Sequence, residues 1–167
     1  MSRPFVAILM GSESDLPIMQ GASDVLGSLG VPCEMKITSA HRTPAATQQY
    51  ISEAEVRGCA LFIAGAGLAA HLAGAVAAHT LKPVIGVPID SGPMQGMDSL
   101  LSTVQMPAGI PVATVAIGKT GAKNAGYLAA QILALQDADL AARVRAEREQ
   151  KAASVQAQDR ALQESRK

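Results

Sequence analysis

A histidine and an arginine stand side by side in residues 39–44, which read Ser-Ala-His-Arg-Thr-Pro. The imidazole of His41 can take or give a proton near neutral pH, and the guanidinium of Arg42 can hold a phosphate or carboxylate by two parallel hydrogen bonds. Together they are typical of acid–base chemistry on an anionic substrate. A solvated pair on a surface loop is the alternative, and this segment alone does not separate the two.

The flanking residues predict where the pair lies. Residues 32–38 alternate like a half-exposed strand, and Pro44 opens a helical pattern over residues 44–57 with Thr43 as its N-cap. His41 and Arg42 are therefore expected in the loop at the carboxyl end of a strand, where open α/β sheets bind their ligands.

A second candidate loop follows the first apolar run, residues 5–10. Gly11 allows a tight turn, and the hydroxyls of Ser12 and Ser14, with backbone N–H groups at a helix start, are typical of a phosphate site. Asp15 fits two roles equally well from sequence, a helix cap or a ligand of a ribose hydroxyl. An ordinary cap is the alternative for the whole loop.

A third candidate loop, residues 65–74, is rich in glycine and alanine and follows the apolar run 60–64. Its glycines allow backbone to approach a ligand closely, and His71 is expected in the first turn of a helix over residues 69–80. A structural capping role is the alternative for this histidine. Gly65, Gly67 and Ala70 also fit the dinucleotide fingerprint, with Asp90 about 20 residues on. An NAD(P)-dependent or nucleotide-binding protein using this turn is therefore the alternative function, although the fingerprint normally follows the first strand.

Short apolar runs alternate with helical patterns along the chain, which predicts an α/β fold. Because the runs are almost continuously apolar, their strands should be covered on both faces, as in a parallel sheet. We expect a three-layer α/β/α sandwich with a flavodoxin-like five-stranded sheet in the order 2-1-3-4-5. The predicted strands are residues 5–10, 32–38, 60–64, 84–87 and 112–116, and the predicted helices are residues 15–29, 44–57, 69–80, 97–105 and 121–136. In this order the three candidate loops share one crevice.

The C-terminal segment differs in composition from the rest. Residues 137–167 carry 13 of the 28 charged residues and contain no glycine or proline, so we expect a charged helical extension of a single α/β catalytic domain at residues 1–136. Its thin apolar edge, Leu140 and Val144, is expected to rest on a neighbouring subunit. Small residues in the helix Ala69–His79 and in the helix around Ala122–Ala134 let backbones pack closely, and we expect them to suit a tight homo-oligomer.

Composition argues against two classes of partner. Net charge is zero and aromatic residues make up 2% of the chain, which predicts no nucleic-acid binding. No apolar run is long enough to cross a membrane. The N-terminus runs directly into a strand-like segment without a signal peptide, and Cys33 and Cys59 lack metal-ligand spacing. These features predict a cytoplasmic protein with reduced cysteines.

Six ordered motifs carry a family resemblance over residues 4–136. They are MGSxSD at residues 10–15, SAHRTP at 39–44, AGAGxAAHL at 64–72, GVP at 86–88, DSLLSxVQMP at 98–107 and AIGK at 116–119. Together they resemble the PurE family of N5-carboxyaminoimidazole ribonucleotide mutases. The resemblance implies a homo-octameric isomerase of de novo purine biosynthesis, with a ribonucleotide substrate and no metal or organic cofactor. Its reaction moves a carboxylate from N5 to C4 of the imidazole.

The resemblance also implies roles for individual residues. His41 matches the catalytic histidine, Ser12, Asp15 and Arg42 match substrate-binding positions, and the loop from Gly65 to His71 matches the part of the site beside the imidazole. The full set of expected substrate-binding residues is Gly11, Ser12, Ser14, Asp15, Ser39, Ala40, Arg42, Gly65, Ala66, Gly67 and His71. The chain departs from the family pattern at Leu68, where glycine is common, and at Ala73, where proline is common.

Overall fold

Five parallel strands form one sheet in the computed structural model, which describes residues 4–166. The strand order is β2-β1-β3-β4-β5, so the predicted flavodoxin-like order is confirmed. The strands are β1 (Phe5–Met10), β2 (Cys33–Ile37), β3 (Cys59–Gly67), β4 (Val84–Ile89) and β5 (Ala113–Thr114).

Helices cover both faces of this sheet, as the three-layer prediction requires. They are α1 (Leu16–Ser28), α2 (Pro44–Val56), α3 (Leu72–Ala77), α4 (Met97–Val104), α5 (Gly118–Ala134) and α6 (Ala138–Glu164), with a 3-10 turn at Glu13–Asp15. Strand β1, which has a neighbouring strand on each side, shows why both faces must be covered. Ile8 belongs to the core beneath α1 and α5, Leu9 belongs to the core beneath α2 and α3, and both side chains are fully buried.

Strand β3 is longer than predicted. The glycine-rich residues 65–67 were expected in a loop, but Gly65 pairs with Val87 and Gly67 pairs with Ile89 of β4. Small side chains do not prevent strand pairing when a neighbouring strand offers partners, so β3 and β4 continue together. The fifth strand, by contrast, is limited to Ala113–Thr114.

Two predicted helices have different bounds. Helix α3 begins at Leu72, so His71 occupies the N-cap position and not the first turn that was expected. Helix α5 begins at Gly118, three residues before its predicted start, because the positive φ of Gly118 lets the chain turn directly into the helix. The bounds of α1, α2 and α4 agree with their predictions to within one residue.

The C-terminal extension forms the predicted helix, but part of its expected packing is wrong. Leu140 is only 2% exposed and belongs to the chain's own core, with Val144 packed against it, so this edge is not free to rest on a neighbouring subunit. Asp137 begins α6 by accepting a hydrogen bond from the Leu140 backbone N–H. Arg143 ties the helix down by donating from Nε to the Leu29 carbonyl at 2.9 Å.

The small residues of α5 also pack within the chain. Ala122, Ala125 and Ala129 are fully buried, and a Cβ added at Gly126 would lie 2.9 Å from the Ala22 carbonyl of α1. These residues bring α1 and α5 close together and are not available for the contacts between subunits for which they were predicted.

Cys59 is buried and Cys33 is half-buried, and both are free thiols. Burial raises the pKa of the Cys59 thiol to about 11, which keeps it protonated at neutral pH. Within residues 4–166, no helix is long and apolar enough to cross a bilayer. Residues 1–3, on which the prediction of a missing signal peptide partly rests, lie outside the described residues.

Candidate active site

A cavity of about 440 Å³ opens at the carboxyl ends of β1, β2 and β3, where the three candidate loops meet. The order of the strands in the sheet explains why these loops meet, because β1 lies between β2 and β3 and all three strands are parallel. Eleven of the predicted site residues line this cavity: Gly11, Ser12, Ser14, Asp15, Ser39, Ala40, His41, Arg42, Ala66, Gly67 and His71.

The two histidines of the cavity are in direct contact. His41 Nε2 lies 2.6 Å from His71 Nδ1, and their rings meet edge to face with centroids 4.8 Å apart. At this distance one nitrogen must donate the hydrogen bond and the other must accept it, since two N–H groups cannot face each other. His71 therefore fixes the orientation of the His41 ring, and both side chains remain exposed to the cavity.

The loop that carries His41 is closed by hydrogen bonds across its base. The Ser39 backbone N–H donates to Thr43 Oγ1 at 3.0 Å, and the Arg42 N–H donates to Ser39 Oγ at 3.1 Å. Thr43 precedes α2 as predicted, but its hydroxyl serves this loop and makes no capping bond to the helix. The Ser39 and Thr43 side chains thus stabilise the turn that presents His41.

Arg42 links two of the candidate loops. Its NH2 group donates to the Gly11 carbonyl at 3.0 Å, which ties the loop after β2 to the loop after β1. The side chain is exposed, and a guanidinium has further N–H donors beyond the one used here. The geometry therefore leaves Arg42 able to bind an anion in the cavity while it holds the loops together.

Asp15 is buried beside the serines of the first loop. Its Oδ2 accepts a hydrogen bond from the Ser12 backbone N–H at 3.1 Å, so the carboxylate caps the short turn Glu13–Asp15. Burial raises the pKa of Asp15 above its ordinary value of 3.8, and the backbone N–H groups of Ser12 and Gly11 and the charge of Arg42 partly oppose this. Ser12 Oγ and Ser14 Oγ share a hydrogen bond of 2.5 Å.

Gly65 is the one predicted site residue that the structure does not bring into the cavity lining. A Cβ at Gly65 would overlap the Met19 side chain, so this glycine faces the core under α1. Gly67 does line the cavity, and a Cβ there would overlap Ser91 Oγ. Ser91 follows β4 and was missed from the sequence, although its position after an apolar strand was a signal that could have found it.

The turn between β3 and α3 is held from the opposite side by α4. Ser102 Oγ accepts a hydrogen bond from the Ala70 backbone N–H at 3.1 Å and lies 3.4 Å from the Leu68 carbonyl. Leu68 itself has a left-handed backbone, with φ 54°. This conformation explains why glycine suits the position, because glycine adopts it without strain.

A larger cavity, of about 830 Å³, lies at the amino ends of the strands, on the opposite side of the sheet from the first cavity's strand ends. Its lining contains no histidine, and two of its charged residues, Asp137 and Arg143, are occupied in holding α6. In residues 4–166 no three His, Cys, Asp or Glu side chains lie close enough together to bind a metal ion. The cavity of about 440 Å³, by contrast, contains two histidines in direct contact beside Arg42.

Comparison with known proteins shows the family to which the chain belongs. The model of the AIR carboxylase family matches residues 5–154. The N5-carboxyaminoimidazole ribonucleotide mutase of Bacillus subtilis is 56% identical over 88% of this chain and 91% of that protein. The enzyme of the same name from Mycobacterium tuberculosis H37Rv is 52% identical over 96% of this chain and 91% of that protein. A crystal structure of Treponema denticola PurE superimposes with a TM-score of 0.88 at 33% identity, covering 96% of this chain and 99% of that one.

Proposed function

The chain belongs to the AIR carboxylase family, and from this premise we propose that its cavity isomerises N5-carboxyaminoimidazole ribonucleotide, with His41 as the acid–base group. The chain is a mutase of de novo purine biosynthesis, like its relatives at 52–56% identity. The dinucleotide alternative is not supported by these relatives. The observation that carries the assignment of roles is the contact between His41 Nε2 and His71 Nδ1 in a cavity that also holds Arg42.

The reaction requires one proton to be given and one to be taken. The bond between N5 and the carboxylate carbon breaks, its electron pair returns to N5, and protonated His41 supplies the proton that N5 then needs. The carbon dioxide released meets the nucleophilic C4 and forms a carbon–carbon bond. Neutral His41 then removes the C4 proton, which restores the aromatic ring and returns His41 to its starting state. Acid–base catalysis of this kind contributes roughly 10²–10⁴-fold in rate.

The groups around His41 bind the substrate. Arg42 binds the phosphate with the hydroxyls of Ser12 and Ser14, since a guanidinium and serine hydroxyls suit phosphate oxygens. Asp15 holds Ser12 in place and presents a carboxylate to the ribose. Ala66, Gly67 and Ala40 form the small-residue wall against which a flat imidazole can lie.

The assembly we propose is a homo-octamer in the cytoplasm. The support is an exposed apolar stripe on α4, made of Met97, Leu101 and Val104 at helical spacing, each about half exposed in the single chain. Such a stripe is typical of a face covered by a second subunit. The free thiols of Cys33 and Cys59 suit a reducing compartment.

The role of His41 is tested by His41→Asn, which keeps a hydrogen-bonding side chain and removes the acid–base group. We expect turnover to fall by roughly 10²–10⁴-fold. Nucleotide binding, measured by calorimetry with aminoimidazole ribonucleotide, should change little because the phosphate contacts remain. His79→Asn is the matched control, since His79 lies outside the cavity lining. Turnover of the His41 variant within tenfold of the unaltered protein would remove His41 from its central role.

A further inference from the structure

A short turn, residues 68–71, joins the end of β3 to the start of α3. Its last residue, His71, occupies the N-cap position of α3, and its Nδ1 lies 2.6 Å from His41 Nε2. A hydrogen bond weakens steeply when its distance or angle changes. The course of this turn therefore decides whether the contact between the two histidines is made.

The backbone N–H of Ala70 is the point at which this turn is held. Ala70 is only 1% exposed, so water does not reach its N–H, and a buried backbone N–H needs a partner within the protein. Ser102 Oγ of α4 accepts this hydrogen bond at 3.1 Å, and no other group in residues 4–166 does so. The residue next to His71 therefore depends on one hydroxyl of a different helix.

The hydroxyl of Ser102 is oriented for this role by its own helix. It has a single hydrogen, and its shortest contact as a donor is to the Asp98 carbonyl, at 2.7 Å. The Ser99 and Leu68 carbonyls lie farther away, at 3.3 and 3.4 Å. Because the hydrogen is used within α4, the lone pairs of Oγ are free to accept the Ala70 N–H.

Helix α4 is itself fixed on the strand next to β3. The hydroxyl of Ser99 is fully buried and donates to the Ile89 carbonyl, at the end of β4, at 2.9 Å. Further along the helix, Thr103 packs so closely on β4 that a Cβ added at Gly86 would lie 2.5 Å from Thr103 Cγ2. The Ser102 hydroxyl therefore has a defined position relative to the carboxyl ends of β3 and β4.

We propose that Ser102 is a positioning residue for the acid–base pair. By holding the Ala70 N–H it sets the turn that places His71, and His71 in turn orients the His41 ring. The inference rests on the proposed function, in which His41 gives and takes the protons of the reaction. Because Ser102 lies outside the cavity lining, its loss should slow the chemical step more than it weakens the binding of substrate by Arg42.

Three substitutions at Ser102 separate the hydrogen bond from the packing of the residue. Ser102→Ala removes the acceptor. Ser102→Cys keeps a similar shape with a weaker acceptor, and it carries the test should the alanine variant not fold. Ser102→Thr keeps the hydroxyl, and Thr103 shows that a threonine in this helix bonds to the carbonyl four residues back. Ser52→Ala is the matched control, since Ser52 makes the same kind of bond, to the Gln48 carbonyl, on an exposed face of α2.

We expect kcat for N5-carboxyaminoimidazole ribonucleotide to fall about 10–100-fold in Ser102→Ala, and less in Ser102→Cys, because the His41 ring is then poorly oriented. KM should stay within about threefold of the unaltered value in every variant, and so should kcat in Ser102→Thr and in the control. Unchanged kcat in the folded alanine variant, or in the cysteine variant if only that one folds, would overturn the proposal. So would a threonine variant as impaired as the alanine variant, or a rise in KM at constant kcat.

Nitrogen-15 NMR of the histidine side chains tests the positioning independently of activity. The chain has three histidines, and His79 lies outside the cavity lining and serves as the internal reference. Ser102→Ala should shift the imidazole nitrogen resonances of His41 and His71 and leave those of His79 unchanged, with smaller shifts of the same kind in Ser102→Cys. Unchanged resonances of all three histidines would overturn the role of Ser102. If the unaltered protein formed no carboxyaminoimidazole ribonucleotide, the proposed function would fail, and the resonances would still decide whether Ser102 positions the pair.

Discussion

At the scale of single residues, the site depends on groups that support one another. His71 holds the ring of His41, and the hydroxyl of Ser39 holds the backbone at Arg42. Arg42 in turn donates to the Gly11 carbonyl and so links the loop after β2, which carries His41, to the loop after β1, which carries Ser12 and Ser14. An acid–base group held by a hydrogen bond needs little reorganisation when the proton moves, which is why this arrangement suits catalysis.

Asp15 is the residue at which function and stability are expected to conflict. Its raised pKa means that the folded chain binds the Asp15 proton more tightly than the unfolded chain does. As pH rises through this pKa, starting near 3.8, the folded state therefore loses stability relative to the unfolded state. At neutral pH the buried carboxylate therefore costs stability, and the ribose contact that we propose for Asp15 would account for its presence.

Asp15→Asn is therefore expected to stabilise the fold at neutral pH and to weaken substrate binding. The amide oxygen can still accept the Ser12 N–H, so the cap survives without the buried charge. Urea unfolding of both proteins between pH 3 and pH 8 should show a stability difference that grows as pH rises through the Asp15 pKa and then stays constant. Asp24→Asn, at a carboxylate on exposed α1 surface, is the control. A variant less stable than the unaltered protein at pH 7 would contradict this account.

At the scale of elements, two features position the candidate site. They are the carboxyl ends of β1, β2 and β3, and the packing of α1 on α5. Helix α1 begins directly after the loop that carries Ser12 and Ser14, and α5 packs against α1 at Gly126. Because a Cβ at Gly126 would lie 2.9 Å from the Ala22 carbonyl and about 3 Å from Val25, the two helices are as close as their backbones allow. Any side chain at Gly126 must push α1 outward.

Gly126→Ala should destabilise the fold by about 1–3 kcal/mol, as overpacking of a tight contact does. Gly27→Ala is the matched control, since Gly27 also lies in a helix but has no atom within 4 Å of its added Cβ. Alanine should stabilise that helix by about 0.5–1 kcal/mol. Chemical denaturation measures both changes, and equal effects of the two substitutions would show that the contact between α1 and α5 is looser than described.

Sequence patterns predict the elements of this site better than the contacts between them. Continuous apolarity in residues 5–10 and 84–87 indicates buried parallel strands, and the polar segments that follow such strands mark the cavity loops. The left-handed backbone of Leu68 and the position of Ser91 could not be predicted, because both depend on the loop after β4 packing against β3. Strand β3 likewise extends to Gly67 because β4 pairs with it there, whereas the glycine content of residues 65–67 alone favoured a loop.

At the scale of the whole molecule, the first turns of α6 pack on the core, whereas its last turns are exposed to solvent. Leu140 completes the core on the α5 face, and Tyr127 of α5 contacts Glu147 and Lys151, which lie about two and three turns after Leu140 in α6. Every residue from 151 to 166 is exposed. The sequence predicted the helix and its charged character. It did not predict that Leu140 packs in the chain's own core, because two apolar residues do not indicate which surface they contact.

Removal of residues after 155 should therefore leave the melting temperature and assembly unchanged, whereas removal of residues after 136 should destabilise the subunit itself. Leu140→Ala alone should cost about 2–5 kcal/mol, and Val155→Ala, at an exposed position, should have no measurable effect. Thermal unfolding and light scattering on these four variants check the prediction. A chain ending at residue 136 that folded as stably as the full chain would contradict the packing of α6 described above.

The central claim, that the cavity transfers a carboxylate already attached to N5, is tested most directly by initial rates of carboxyaminoimidazole ribonucleotide formation from two starting materials. One reaction contains N5-carboxyaminoimidazole ribonucleotide without added bicarbonate, and the other contains aminoimidazole ribonucleotide with bicarbonate. The account predicts rapid turnover of the first and a much slower reaction of the second. Efficient product formation from aminoimidazole ribonucleotide and bicarbonate, with no turnover of the N5-carboxylated substrate, would contradict it.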